Sequence, residues 1–498
     1  MYRKLLSLAL ALGMVFSLSI TAAAALSADD FKNGNLSGIT EASDGKCLIT
    51  DTYNKVVWEV NGDKASIYAG RIGVADASGE PVGEYQNGTL DKAYFMEPWD
   101  IVPFVNGYAV SDSEAKVIRY IEKDRVYTVE DTNKKITFKR PTGLATDKYG
   151  QLYISDTEAG AVYLMDRDGH VSLVASGLVS PTGIAWTEDA IYVAETGMSR
   201  IAKIVDGKVS AFAGVSVKDD DGYLGGYVDG PVAKAMFEQP QYVAVGSDGT
   251  VYVSDTGNSA VRAIKDGRVY TIARPASGSQ LPTSPRGICV SGTKLLVADN
   301  FIGNILAASV ATKSYKDVPA NAWFASFVNE GTMRGLINGM SQTEFSPNAQ
   351  MNRAMFVTIL SRIYQSMDGS AIVDGDKTFG DVADNTWYSA PVRWAADAGV
   401  TNGDGGNFAP NRSISREEVV TMLYRYAKAQ GFDVTTTGDK MSGFKDAGTT
   451  SSYAVDAMEW ACEKGIMNGS EGMLTPHATA TRAQATKIMV AFMDAYGI

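Results

Sequence analysis

The chain has 498 residues, which is more than one ordinary domain, and its 45% hydrophobic content supplies a sizeable core. A net charge of −12 excludes a general nucleic-acid binder, which would carry a basic face. Three widely spaced cysteines, Cys47, Cys289 and Cys462, form no disulfide framework and read as small buried hydrophobes.

The chain opens with Arg3 and Lys4, an apolar run from Leu5 to Ile20, and the small residues Ala22 to Ala25. That order is a secretory signal peptide, assigned to residues 1–25. The run is short for an uncleaved anchor, since a span takes roughly 20 apolar residues. The mature chain is therefore expected outside the cell with no membrane span.

From residue 26 to 312 a short strand recurs, ending in an acid and a small polar residue. Its copies end at Asp51-Thr52, Asp112-Ser113, Asp156-Thr157, Glu195-Thr196, Asp255-Thr256 and Asp299-Asn300, with spacings of 61, 44, 39, 60 and 44. Pro141-Thr142-Gly143, Pro181-Thr182-Gly183, Pro240-Gln241-Tyr242 and Pro285-Arg286-Gly287 precede four of them. Short alternating runs separated by turns such as Asp168-Gly169 and Asp266-Gly267 predict an all-β region. A four-stranded unit of about 40 residues predicts a propeller blade, so the reading is a six-bladed ring. The two long gaps hold similar inserts, Gly83–Pro98 and Gly225–Pro240, assigned to blades one and four. The sixth blade lacks an outer strand, expected from residues just after the signal peptide.

This cadence resembles the NHL-repeat propellers. Some related propellers are zinc lyases or calcium-dependent lactonases, so a wall-anchored enzyme is the alternative reading. Zinc chemistry of that kind takes several histidines, and the chain has two, His170 and His477. No catalytic residue and no metal ligand is assigned, and a calcium site built from carboxylates alone is the one cofactor left open. The recurring acid is read as a structural acceptor of turn amides, and Asp219, Asp220 and Asp221 as a solvated loop rather than a calcium site.

The last third contains one pattern three times, at residues 313–370, 377–432 and 442–498. Each copy opens on an aromatic and an acid, with Asp317, Asp381 and Asp446 matched. Trp323-Phe324 and Trp387-Tyr388 follow. Next come Gly-rich loops ending in Asn338-Gly339, Asn402-Gly403 and Asn468-Gly469, and then a second helix beginning at Arg353, Arg416 or Arg482. Asn352, Ser415 and Thr481 are N-caps. Ser415 with Glu418 and Thr481 with Gln484 have capping-box spacing, which Asn352 with Met355 lacks. Phe356, Val357, Leu360 and Ile363, Val419, Val420, Leu423 and Tyr426, and Ala485, Thr486, Met489 and Phe492 form three equivalent stripes. Packed together about a pseudo-threefold axis, they would be buried.

These copies resemble the S-layer homology domain. The resemblance implies anchoring of an exported bacterial protein to secondary cell-wall polysaccharide bearing pyruvyl ketals, with the propeller displayed for binding a protein or carbohydrate. A cation at the first position of a helix is unfavourable by typically 0.3–1 kcal/mol. An anion held by guanidinium and helix N–H groups together would reverse that; internal pairing of each arginine with an acid of the neighbouring copy is the other reading. The Gly/Asn loops would let a sugar approach, and Trp323, Trp387 and Tyr388 would offer it flat faces or else pack in the core. Ser452 and Leu474 replace aromatics in the third copy, so the first two grooves are expected to matter more.

Overall fold

The computed structural model describes residues 21–24, 34–300, 303–309 and 315–498, apart from 43, 63, 78–79, 130, 134, 219–221, 274–283 and 369–371. Residues 1–20 and 25 of the expected signal peptide, and the cluster Asp219 to Asp221, lie outside the described residues. The chain divides into two compact units, with the boundary between Ala311 and Thr312.

The first unit is a six-bladed β-propeller. Blade one comprises Leu36–Glu41, Cys47–Asp51, Val56–Asn61 and Lys64–Ala69, antiparallel and in that order. Blades two to six repeat the plan from the inner strands Pro98–Phe104, Pro141–Thr146, Pro181–Trp186, Pro240–Val245 and Pro285–Ser291. The six inner strands touch in a closed cycle, the sixth returning to the first. The fourth strand of blade six is Thr21–Ala24, with Thr21 opposite Ala307. It therefore falls inside the segment assigned to the signal peptide rather than after it. A run of Thr and Ala offers backbone pairing with little side-chain demand, so one short sequence suits either part.

The Ser-Asp-Thr triplets join neighbouring blades. Before the acid, the hydroxyls of Thr50, Ser111, Ser155 and Ser254 donate to the carbonyls of Trp99, Thr142, Thr182 and Arg286 in the next blade. After it, Ser113, Thr157, Thr196 and Thr256 donate to the carbonyls of Pro141, Pro181, Pro240 and Pro285. The acid itself turns back into its own blade. Asp156, for instance, accepts the amides of Lys139, Arg140 and Ala159 at 2.6–3.0 Å. All six acids are fully buried, as hydrogen-bonded carboxylates can be. Blade six reads Ala298-Asp299-Asn300, without a hydroxyl on either side. At that seam Arg286 Nη1 instead donates to Asn35 Oδ1 of blade one at 2.6 Å.

The two inserts pack on blades two and five, not on the blades they follow. Gly88–Thr89 and Gly230–Pro231 each add a fifth strand to those sheets. Each insert wraps a buried arginine. Arg119 binds Asp112 at 3.1 Å and the carbonyls of Tyr94 and Gln86, between the rings of Tyr85 and Phe95. Arg262 binds Asp255, Asp229 and the carbonyls of Met236 and Val228, between Tyr227 and Phe237.

The second unit contains three pairs of helices: α1 (Ala325–Met333) and α2 (Arg353–Asp368), α3 (Ser389–Asp397) and α4 (Arg416–Ala429), and α5 (Val455–Glu463) and α6 (Arg482–Tyr496). The second helix of each copy packs on the first helix of the next: α2 on α3, α4 on α5, and α6 back on α1. One hydrophobic core takes in all three stripes except Thr486, which is buried beside it. Ser415 with Glu418 and Thr481 with Gln484 form complete capping boxes. Asn352 caps the Met355 amide at 2.8 Å, and methionine has no acceptor to return the bond. No described helix is long and apolar enough to cross a membrane.

Candidate functional site

Each matched acid of the helical copies clamps a turn. Asp317 accepts the amides of Phe345 and Ser346, Asp381 those of Phe408 and Ala409, and Asp446 those of Leu474 and Thr475, all at 2.6–2.8 Å. Ser346, Ala409 and Thr475 have φ of 59°, 56° and 48°, a left-handed backbone that a non-glycine residue enters at a cost. Two charge-assisted bonds hold it there. Burial raises the Asp446 carboxyl, but the amides of Leu474 and Thr475 outweigh it and leave the group below its usual range.

The clamped turn presents a carbonyl to the arginine of the preceding copy. Arg353 Nε donates to Phe408 O at 2.8 Å, Arg416 Nε to Leu474 O at 2.8 Å and Arg482 Nε to Phe345 O at 3.0 Å. Arg353 and Arg482 also lie over the rings of Phe408 and Phe345, at 4.7 and 4.6 Å. The three arginines are 7%, 8% and 4% exposed, and burial lowers all three from the usual guanidinium range. The first helical amides are occupied as well. Arg353 N and Ala354 N donate to Arg412 O and Pro410 O, Arg416 N and Glu417 N to Ala478 O and Pro476 O, and Arg482 N and Ala483 N to Ala349 O and Pro347 O. Backbone carbonyls of the next copy thus take the place that the sequence reading gave to an anion at the helix end. They also explain why a cation is tolerated there, since oxygen dipoles face it.

The three seams differ in charge. At the first, Arg353 Nη1 lies 3.2 Å from Glu418, which also pairs with Arg412 at 2.5 Å. Burial raises Glu418, yet Arg412 and the Ser415 amide bring it below its usual range. At the second, the residue after Arg416 is Glu417. Its carboxylate accepts from Ser451, Tyr453 and the Ser451 amide, with His477 Nδ1 at 3.2 Å. At the third, the Arg482 guanidinium donates to carbonyls, its Nη2 to Asn338 O at 2.6 Å, and it forms no ion pair among the described residues. Of the two readings of these arginines, internal ion pairing thus holds at the first seam alone.

Trp323 and Trp387 stand out from the surface, 55% and 60% exposed, while Tyr388 packs half-buried against the core. Lys487 Nζ lies 5.6 Å from the Trp323 ring centre. Asn338, Asn402 and Asn468 are exposed. Their glycine neighbours serve packing: a Cβ on Gly339, Gly403 or Gly469 would strike the ring of Tyr315, Phe379 or Phe444. Sequence reasoning missed Arg412, Glu417, Tyr453, His477 and Lys487. Only the doubled glutamate of Glu417-Glu418, where the other copies read Ala-Met and Ala-Gln, marked that one seam differs.

At the propeller axis, the third position of the inner strand is Gly38, Gly143, Gly183 or Gly287 in four blades, and Asp100 or Tyr242 in blades two and five. The glycines let inner strands approach; a Cβ on Gly143 would strike Thr182 O. Tyr242 reaches across the axis, its hydroxyl 3.0 Å from Trp99 O and 3.2 Å from Ser37 Oγ. Asp100 is buried beside it, and burial pushes its carboxyl up to about 7 against the pull of the Leu144 and Ile101 amides. Arg286 stacks on the Trp99 ring at 4.8 Å. Among the described residues one grouping has metal-ligand geometry, the surface cluster Asp166, Asp168 and His170. Asp166 there is occupied with the amides of Asp168 and His170.

The S-layer homology domain model matches residues 314–355, 378–420 and 443–486, and the NHL repeat model matches residues 237–264. The chain therefore carries three S-layer homology domains and an NHL repeat within a six-bladed propeller. An amylopullulanase of Thermoanaerobacterium thermosulfurigenes is 30% identical over 215 residues, 42% of this chain and 11% of that protein. The S-layer protein sap of Bacillus anthracis is 26% identical over 200 residues, 40% of this chain and 23% of that one. The surface-layer 125 kDa protein of Lysinibacillus sphaericus is 28% identical over 197 residues, 39% and 16%. The chain thus spans less than a quarter of the length of each of these relatives. Among solved structures, the virginiamycin B lyase of Staphylococcus aureus covers 59% of this chain and 99% of its own at 14% identity and a TM-score of 0.40. An auxiliary nutrient binding protein of Bacteroides ovatus covers 59% and 77% at 13% identity and a TM-score of 0.43. At that depth of likeness no function follows.

Proposed function

We propose that this is an exported bacterial surface protein, held non-covalently on secondary cell-wall polysaccharide by its three helical copies and displaying the propeller for binding. The carrying observation is the triple S-layer homology match; surface-layer relatives support a place at the cell surface or wall. The cyclic packing of α2 on α3, α4 on α5 and α6 on α1 supports a pseudo-threefold body with three seams. Each seam carries an arginine and a clamped turn, and two present an exposed tryptophan. The exposed indoles suit a glycan, and Lys487 beside Trp323 suits its pyruvyl carboxylates. Several weak seams on one rigid body raise retention through effective concentration. Asp51, Asp112, Asp156 and Glu195 accept backbone amides, which supports a structural rather than a catalytic part for the propeller acids.

The test is cosedimentation of the full chain with purified bacterial walls, before and after the polysaccharide is stripped by hydrofluoric acid. Retention that disappears with the polysaccharide is expected. Equal retention on stripped walls would overturn the reading.

A further inference from the structure

Resting on that anchoring reading, we propose that the acidic glycan is taken chiefly at the seam between the third and first copies, with Lys487 and Trp323 as its contacts. Two positions decide the charge of each seam. One follows the arginine, and is Ala354, Glu417 or Ala483. The other is the capping position of the next copy, and is Glu418, Gln484 or Met355 for the first, second and third seams. At these two positions the first two seams each carry one carboxylate, and it is already engaged. Glu418 is shared between Arg353 and Arg412, and Glu417 fills the second seam with Ser451, Tyr453 and His477. A carboxylate-bearing sugar entering the second seam meets a fixed negative charge, and at the first it competes with Glu418 for the two guanidiniums. The third seam has neither acid. Arg482 there donates to the carbonyls of Phe345 and Asn338 and forms no ion pair among the described residues.

Lys487 supplies the accessible cation. It follows Arg482 on α6 and reaches over the rings of Trp323 and Phe327 in the first copy, at 5.6 and 5.9 Å. The equivalent positions on the other two helices are Thr358 and Thr421, whose hydroxyls turn back to the carbonyls of Ala354 and Glu417. An exposed indole edged by an ammonium suits a sugar ring carrying an acid group. The second seam has Ser452 where the tryptophan stands elsewhere, and the first has Trp387 beside a closed ion network.

Isothermal titration of the full chain with wall polysaccharide bearing pyruvyl ketals, and with the same glycan after the ketals are removed, tests this. Lys487→Gln and Trp323→Ala should each weaken binding of the ketal form by about tenfold, and Trp387→Ala and Tyr453→Ala by less than about twofold. Glu418→Gln should strengthen it several-fold, because glutamine keeps the capping box, as Gln484 does, while releasing Arg353 and Arg412. Helical circular dichroism should be unchanged in all five. Near-native binding by Lys487→Gln and Trp323→Ala, or an equal loss in Trp387→Ala, would overturn the seam assignment while leaving anchoring intact. A wild-type chain that binds neither form would overturn the anchoring reading as well.

Discussion

In the propeller each repeat seals its acid completely, and five of the six seams are closed by neutral hydroxyls, Arg286 serving at the sixth. In the helical copies the acid stands near the surface and the join is a guanidinium on a carbonyl. Asp156 and Asp381 do the same job, holding backbone amides in a fixed turn. Ser155 and Arg353 likewise do the same job, reaching into the next repeat for a carbonyl. The chemistry nevertheless has different consequences. A hydroxyl latch leaves no charge behind at the seams it closes. A guanidinium latch leaves a cation at each seam, and a single neighbouring residue then decides whether that cation is cancelled. The helical unit can therefore vary its seams one at a time, as Glu417, Glu418 and Met355 show, without altering the latch.

The largest expected effect separates the two acids. Asp156→Ala strands three amides around a fully buried carboxylate, each costing about 1–3 kcal/mol, and should lower stability in urea by roughly 4 kcal/mol. The axial acid should show itself in pH dependence. The folded Asp100 carboxyl titrates at about 7 and the unfolded one near its ordinary value of about 3.9. Between those values the folded protein binds the extra proton, so stability should fall as pH rises from about 4 to about 7 and level off above it. The slope approaches ~1.4 kcal/mol per pH unit, and Asp100→Asn should flatten it in urea titrations followed across that range. Asp381→Ala frees only two amides, which water can reach, and should cost about 1–2 kcal/mol. Equal losses for Asp156→Ala and Asp381→Ala would erase the contrast between a sealed and an open clamp.

Both architectures were legible because they repeat. The Ser-Asp-Thr triplets, the matched arginines and the capping boxes recur at fixed places, and local chemistry explains each of them. The structural reading of the propeller acids followed from the same rule. What the sequence hid is what crosses between repeats. No spacing shows that Thr157 bonds the carbonyl of Pro181 rather than one in its own blade, or that the inserts fold forward onto blades two and five to enclose Arg119 and Arg262. The helix-end argument for an anion went only halfway, because a single copy cannot reveal that Arg412 O and Pro410 O of the next one already occupy the free amides. The unequal seams were hidden for the same reason. Glu418 looks like an ordinary capping partner until Arg353, 65 residues away in sequence, is found beside it.

The smallest effect tests whether a blade latch is a unit or a shared duty. Ser155 donates to Thr182 O and also accepts the Gly143 amide at 2.9 Å. In blade four the matching residue is Ala194, and Thr182 Oγ1 takes over the task by donating to Gln241 O of blade five at 2.7 Å. Blade three holds the same understudy, since Thr142 Oγ1 is 3.3 Å from Ser155 Oγ and 3.4 Å from Pro181 O. Ser155→Ala should therefore cost only about 0.5–1 kcal/mol, a modest net for a replaced hydrogen bond. Ser155→Ala with Thr142→Val should cost clearly more than the two single changes added, because the second removes the substitute as well as its own bonds. Strict additivity in a urea double-mutant cycle would mean that each hydroxyl acts alone and that blade four keeps its seam by other means.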